Sequence, residues 1–399
     1  MRLRWFLALC LFQAAPLSFA HAGPLKEAVR AAWELNPEVQ AIIARQGAIQ
    51  SRREAADSLL PGSPSLGLGY ATDRFGGNYI GSREFEAEIS TPLWLPGEST
   101  ANVRVAESEL VKNESDLLAA QLAVAGEVRE AYWAVAQARE ASILAARRLQ
   151  DASALAQDLA RRVQAGEASL ADLLLAEGDQ AEAQGILAEQ QAASEEAELV
   201  FLRLTGRSAP ATLVQEELHL STELHPLLLA RHRAIEVAEA KIRLANLATR
   251  DSPEAGFLVR PERDATGEPY SVTLGVRLRI PFSTENRNAP RQAEAKSEHS
   301  EALVQAAAAE QQIRTGVERA RIALATTEKQ LSAAEARRQK LGNHLALIEK
   351  SYRGGETGFI ELVRARSVTY EAELSAIRAR IALRRAQSQI NQASGVLPQ

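Results

Sequence analysis

The feature that most constrains this chain is that it is written twice. AGEASLADLL at 165–174 and GGETGFIELV at 354–363 follow one pattern: a small residue, Gly, Glu, two intervening residues, an apolar residue, a spacer, an acid and Leu. The two stand 189 residues apart, and the same offset brings other landmarks into register without a gap. Asn36-Pro37 meets His225-Pro226, Pro92 meets Pro281, Val128 and Ala131 meet Val317 and Ala320, and Thr205-Gly206 meets Ser394-Gly395. Self-similarity kept at one period over the whole length is a tandem duplication of one structural unit. The chain is therefore divided into residues 1–22, a first repeat at 23–210 and a second at 211–399, the two repeats building one domain.

Residues 1–22 place Arg2 and Arg4 before an apolar run that ends near Leu11, followed by small residues at Ser18, Ala20 and Ala22. That order is the layout of a cleavable secretory signal, with the cut expected after Ala20 or Ala22. Cys10, the single cysteine, leaves with it, so a mature chain has neither thiol chemistry nor disulfides and must be held by packing or oligomerisation. The charge of the full chain is −5, and the mild acidity argues against nucleic acid as a partner. No stretch of about 18 residues after the signal is apolar and free of charge, which leaves β-strands as the only route into a membrane.

From Pro96-Gly97 to Ala165 the chain is dense in Ala, Leu, Glu, Gln and Arg and contains no further proline. Every seventh residue (Val103, Leu110, Leu117, Val124, Ala131, Ala138, Ala145, Ala152, Leu159) is apolar, the signature of a left-handed coiled coil. The second copy repeats the device less strictly from about Asn286 to Arg353. Helices of this length run about 100 Å, too long for one ordinary partner. Residues 24–60 and 168–206 are also helical in pattern, and end to end the two would span about the same length. Each repeat thus predicts one long helix beside two short ones, with Gly166 and Gly355 as left-handed caps where the long helix turns back.

Between the first and the long helix the period changes to two. Pro64–Tyr70 and Glu84–Ser90 alternate in the first copy; in the second, Val272, Leu274, Val276, Leu278 and Ile280 share one face and Ser271, Thr273, Gly275, Arg277 and Arg279 the other. A two-stranded ribbon is marginal in water, and a coiled coil offers no globular core to cover it. The pattern suits a membrane β-barrel whose apolar residues face lipid and whose Glu84, Glu86, Glu88, Arg277 and Arg279 face a wet lumen. Four strands cannot close, and open edges in lipid would strand backbone groups, so the expectation is oligomerisation; three chains would supply twelve strands, enough to leave room for water. Pro92 and Pro281 lack a donor N–H and are placed to end the ladder where the chain turns into the long helix.

The paired phrases ELNPEV and ELHPLL, ISTPLWLPGE and LRIPFSTENR, RRVQAGEASLADLLLAEGDQAEAQ and SYRGGETGFIELVRARSVTYEAE, and the endings LTG and ASG resemble the TolC-type outer-membrane efflux proteins, in order and over essentially the whole chain after the signal. That resemblance implies a mainly α fold with β. Tandem-duplicated coiled-coil helices would form a periplasmic α-barrel, and four strands per chain would contribute to a twelve-stranded outer-membrane barrel in a homotrimer. It implies a passive exit duct, embedded in outer-membrane lipid and opened by a periplasmic adaptor (membrane fusion) protein and an inner-membrane pump of the RND type. Carried onto this chain, the adaptor-docking tips fall on Ala165-Gly166-Glu167 and Gly354-Gly355-Glu356. The acidic constriction falls on Glu361, with Asp172 its counterpart in the first copy. Where some relatives have a second carboxylate one turn on, this chain has Arg364. The compact length is similar to the heavy-metal branch, which exports metal cations; drug efflux and type I secretion use the same channel design.

Nothing in the sequence sets up catalysis: Ser-His-Asp order, phosphate-binding loop and HExxH are all lacking, and no cofactor is implied. Of the six histidines, His225 and His232 share a helix but stand two turns apart, too far to ligate one ion without a third group between them, so no metal site is assigned. Two alternatives belong to other classes. A periplasmic adaptor would carry one helical hairpin in a β-rich frame, and a structural coiled coil would have no use for proline-bounded strands.

Overall fold

The computed structural model describes residues 23–75, 80–219, 224–247, 249–282 and 285–398; the expected signal at 1–22, with its cleavage site, lies outside them. The first half contains α1 (Pro24–Leu35), α2 (Pro37–Ala56), β1 (Ser65–Thr72), β2 (Arg83–Pro92), α3 (Glu98–Gln164) and α4 (Leu170–Thr205). The second contains α5 (Pro226–Leu247), β3 (Glu254–Arg263), β4 (Ser271–Arg279), α6 (Glu285–Arg353) and α7 (Phe359–Ala393). Apart from α1, the same order of elements thus occurs twice, and the fold is mostly helical with one small sheet.

The single helix expected over 24–60 is two helices. Pro37 disfavours helical backbone at the residue before it, and Asn36 is extended at φ −73°, ψ 121°. Its carboxamide oxygen accepts from the Glu38 and Val39 amides at 3.0 and 3.1 Å, which makes it the cap of α2. In the second copy the stretch corresponding to α1, where described, has no regular secondary structure.

α3 and α6 span 67 and 69 residues, about 100 Å each. In α3 the seven-residue stripe points inward as expected: Val124, Ala131, Ala145, Ala152 and Leu159 are buried and the other four positions are half-buried. α4 and α2 lie along α3, and α5 and α7 join the two halves, each packing on both α3 and α6. The main core sits at mid-height, where α1 and the middle of α3 enclose Val29, Val128, Tyr132, Trp133 and Val135 together with Phe201 and Ile381. A second cluster at the far end joins Leu155 and Leu159 of α3 to Phe359 and Leu362 of α7. In α6, by contrast, every buried residue among those described is an alanine, and past Ala320 none is buried.

The four strands form one antiparallel sheet in the order β1-β2-β3-β4. Pro92 is the last residue of β2, paired with Glu254, and the ladder runs one step past it, because the Leu93 amide donates to the Pro253 carbonyl at 2.7 Å. Pro281 stands two residues beyond the end of β4.

Candidate functional site

The sheet has two unlike faces. Across the strands, Leu66, Ile89, Phe257 and Val276 form one row, and Leu68, Ala87, Val259 and Leu274 the next. These rows are bare within the chain: Leu68, Phe257, Leu274 and Val276 are 78, 73, 75 and 74% exposed. A contiguous apolar face of this kind on a soluble surface would be a liability, and strands of 8–10 residues have the length that crosses a bilayer.

The opposite face is an ion-pair lattice. Arg260 lies 2.7 Å from both Glu84 and Glu86, Arg277 lies 3.0 Å from Glu86 and also pairs with Glu88, and Arg279 stands 3.6 Å from Glu254. Gly67 and Gly69 sit opposite Glu88 and Glu86. A side chain at Gly256 would come within 2.6 Å of a Glu88 carboxylate oxygen, so the absence of a Cβ there makes room for the lattice. The structure brings all five sequence-expected charges onto this face and adds Arg260. That residue was legible in principle: the 189-residue shift lays β1 over residues 254–261, and Phe257 and Val259 alternate there with Leu258 and Arg260.

The register makes a prediction. Leu274→Arg on the apolar face should block assembly into the membrane at a cost of about 2–4 kcal/mol near the midplane, whereas Thr273→Arg on the lattice face should be tolerated. The amount of each variant recovered in the outer-membrane fraction checks this. The reverse pattern would mean that the lipid-facing residues are the charged ones.

Both helix hairpins turn by the same device. Gly166 has φ 76° and Gly355 φ 77°, a region that side chains disfavour, and each is preceded by a long helix. The Gly166 and Glu167 amides donate to the Val163 and Arg162 carbonyls at 3.0 and 2.8 Å, and the Gly355 and Glu356 amides donate to Tyr352 and Ser351 at 3.0 Å each, so both helices end in Schellman caps. The two turns lie at the same end, since Arg162 stacks 5.7 Å from the centre of the Tyr352 ring. Gly166, Glu167, Gly355 and Glu356 are all exposed, and Glu356 accepts from Ser351 Oγ at 3.4 Å.

Glu361 sits lower than the turn and a half up the last helix that counting from Gly355 gives. Residues 354–358 are spent on the turn, so Glu361 falls in the first turn of α7, as Asp172 does in α4. A carboxylate there also suits the helix dipole, and the Asp172 amide is capped by Ser169 Oγ at 3.1 Å. Arg364 donates to Glu361 at 3.1 Å, and both side chains are more than half exposed.

At mid-height the structure holds a polar joint that the sequence reading did not single out. Arg129, buried, donates to both Glu216 carboxylate oxygens at 2.9 and 2.7 Å and to the Val396 carbonyl at 2.9 Å. The Tyr132 hydroxyl accepts from the Val214 amide at 2.6 Å, and burial pushes its ionisation upward. Arg139 donates to the Pro210 carbonyl at 2.6 Å. Together these three side chains of α3 fasten the connection between the halves, and Arg129 also fastens the C-terminal end. Lower down, Arg148 bridges Asp179 and Glu182 while stacking 4.8 Å over the Tyr370 ring.

Three of the histidines have partners within the chain. His225 Nδ1 accepts from the Leu227 amide at 3.2 Å, capping α5 as Asn36 caps α2, and burial pulls its pKa below the ordinary range. His219 Nδ1 contacts the Glu217 carbonyl at 3.1 Å, and His299 Nε2 stands 4.0 Å from Glu239. Among the described residues no three His, Cys, Asp or Glu side chains converge as a metal site, and no helix is long and apolar enough to cross a membrane.

Comparison with known proteins agrees with this geometry. The chain is similar to the cobalt-zinc-cadmium resistance protein CzcC of Cupriavidus metallidurans, 25% identical over 223 residues; the match covers 52% of this chain and spans about half of that protein, 52%. In fold it is similar to CusC, with a TM-score of 0.77 and 16% identity over 94% of this chain and 92% of that one. It is also similar to the CmeC outer membrane channel of Campylobacter jejuni, with a TM-score of 0.75 and 16% identity over 94% and 86%. The family described as Outer membrane efflux protein, whose members are channels rather than enzymes, matches residues 28–206 and again 219–396. The doubled match covers both halves of the duplication, and the chain belongs to the outer membrane efflux protein family.

Proposed function

We propose that the protein is the outer-membrane exit duct of a tripartite efflux system: a homotrimer whose twelve strands form a barrel in outer-membrane lipid and whose helices form a periplasmic tube. The observation that carries this reading is the two-faced sheet, bare and apolar on one side and ion-paired on the other, continuous with helices about 100 Å long. Four strands leave two edges, and only further copies can pair them in lipid. The glycine turns at 166 and 355, with Glu167 and Glu356, form the end that meets a periplasmic adaptor, and an inner-membrane pump of the RND type supplies the driving force. The similarity to a cobalt-zinc-cadmium resistance protein favours metal cations as the cargo. On this reading residues 1–22 are a cleaved signal and 23–210 and 211–399 are the two repeats of one channel domain.

The lumen is lined by Glu84, Glu86, Glu88, Arg277 and Arg279, and the strands hand over to the tube at Pro92 and Pro281. The narrow end is set by Glu361, Arg364 and Asp172, brought together by the threefold axis into a ring of the kind that selects ions in other pores. Arg364, paired with Glu361 at 3.1 Å, offsets part of that charge. In planar bilayers Glu361→Ala should change the single-channel conductance of the trimer and weaken block by divalent cations added from the periplasmic side; Arg364→Ala should deepen the block. Traces unchanged in both variants would remove these residues from the constriction. For the function itself, the protein should migrate as a heat-sensitive trimer in mild SDS, and a deletion strain should lose resistance to zinc, cobalt or cadmium salts. A stable monomer in detergent would sink the duct, and sensitivity to drugs alone would sink the cargo.

A further inference from the structure

The outward face of the sheet is apolar along most of its length and ends in charge. Across β2 and β3 its rows are Ile89 with Phe257, then Ala87 with Val259, and at the last step Arg83 with Arg263. These two arginines are the only charged side chains at the outward positions of the four strands. The other end of the same face carries Thr91, Ala255 and Leu278. All four connections to the long and short helices leave the sheet at that uncharged end, so Arg83 and Arg263 stand furthest from the helices. On the barrel reading, that is the outer leaflet.

Aromatic rings mark the boundary there. Tyr70 and Phe85 are paired one row inward, with ring centres 4.7 Å apart, and the Arg263 guanidinium lies 5.5 Å from the centre of the Tyr270 ring. Exposed rings on an apolar face belong at the level where hydrocarbon meets headgroups. Arg83 is two residues past Phe85, about 7 Å further along the strand, which is the height of headgroup phosphates. The register sets the two arginines directly opposite each other, and like charges so placed repel. No acidic side chain on the face offsets them. Glu84 and Glu262 alternate to the lattice face, and the Asp73 carboxylate is engaged in its own loop, accepting from the Ile80 and Gly81 amides at 2.8 and 3.1 Å. Arg263 donates to the Gly81 carbonyl at 3.3 Å, but its Nε is enclosed without an acceptor among the described residues. The Arg83 side chain is exposed.

We propose that Arg83 and Arg263 together hold a phosphate of an outer-leaflet lipid, the headgroup of a phosphorylated glycolipid such as lipid A, with Tyr70 and Phe85 against its acyl chains. The inference rests on the barrel reading above and adds a lipid site to it. Guanidinium groups bind phosphate through paired N–H donors, and two of them side by side match its several oxygens. The apolar rows directly below select a phosphate that carries hydrocarbon over a free one. The site also has a place in the duplication: β2 belongs to the first repeat and β3 to the second, so one bound phosphate turns the repulsion across that junction into a bridge between the halves.

Lipid binding by the delipidated full-length protein in detergent tests the site, with bound lipid counted by native mass spectrometry. Bisphosphorylated lipid A should bind about tenfold tighter than the same lipid stripped of its phosphates. The double variant R83Q/R263Q should lose that preference, and R83K/R263K, which keeps the charge without the fork, should retain about a third of it. Arg321→Gln removes a charge from exposed α6 and should leave binding unchanged. Inorganic phosphate at the same concentration should not displace the lipid. Equal binding of phosphorylated and stripped lipid A by the unmodified protein overturns the site whether or not the variants fold. A preference that survives in folded R83Q/R263Q, or displacement by inorganic phosphate, overturns it too, while the barrel stands. If the unmodified protein is absent from the outer-membrane fraction, the barrel reading fails and this site with it.

Discussion

Replacing Arg129 with methionine is expected to destabilise the protein by about 3–5 kcal/mol, because it leaves a buried carboxylate without its partner. The Arg129 side chain is 3% exposed and that of Glu216 is 11%, so water cannot readily substitute for the guanidinium. The same change strands the Val396 carbonyl and the Gln392 amide oxygen, both of which accept from Arg129. The partners come from three places: the middle of α3, the connection between the halves, and the C-terminal end. The loss should therefore loosen the joint where the duplication is sewn together, and not only one helix. Heat or urea midpoints of the detergent-solubilised protein measure the effect. The companion Arg129→Met/Glu216→Met should recover most of the loss, since a buried pair replaced by apolar side chains of similar volume is often neutral. A single variant as stable as the unmodified protein would show that the pair is solvated and that the joint is held by packing alone.

That joint marks the limit of what the sequence made legible. The long helices, the period-two strands and the turns at Gly166 and Gly355 were readable because each is a local pattern repeated at a fixed distance, and the repetition itself guards against chance. The break at Asn36 was also written locally, in the proline after it, but a helical composition on both sides masks it. Arg129 could not be found this way. Its counterpart at the 189-residue shift is Glu318, so duplication argues against a shared role, and its partners at Glu216, Gln392 and Val396 are brought to it only by the packing of α7 and the inter-repeat connection on α3. Glu361 shows the converse. The residue type and its place after the turn were legible, but its height on α7 depended on how many residues the Schellman turn consumes, and at that height it also answers to the helix dipole.

The other large effect is expected at Trp133, one heptad and two residues beyond Val124 and the largest side chain wholly enclosed in the mid-height core at 1% exposure. Trp133→Ala should cost about 3–5 kcal/mol, the sum of lost apolar burial and the cavity that close-packed neighbours cannot fully close. The neighbours resist collapse: Tyr132 meets the indole edge-to-face with centroids 5.2 Å apart and is itself pinned by the Val214 amide, while Val128 and Val135 are on the same rigid helix. Trp133→Phe separates the two contributions. It keeps most of the volume and removes the 2.9 Å hydrogen bond from the indole nitrogen to Ser388 Oγ on α7, leaving a buried hydroxyl oxygen without its donor. That variant should lose about 1–2 kcal/mol. Because the hydrogen bond crosses from one repeat to the other whereas the packing is shared with α1, Trp133→Phe should weaken the α3–α7 seam selectively. Hydrogen exchange should then rise in α7 near Ser388 more than in α1, and equal protection of both helices in this variant would mean that the seam is held by shape and not by the hydrogen bond.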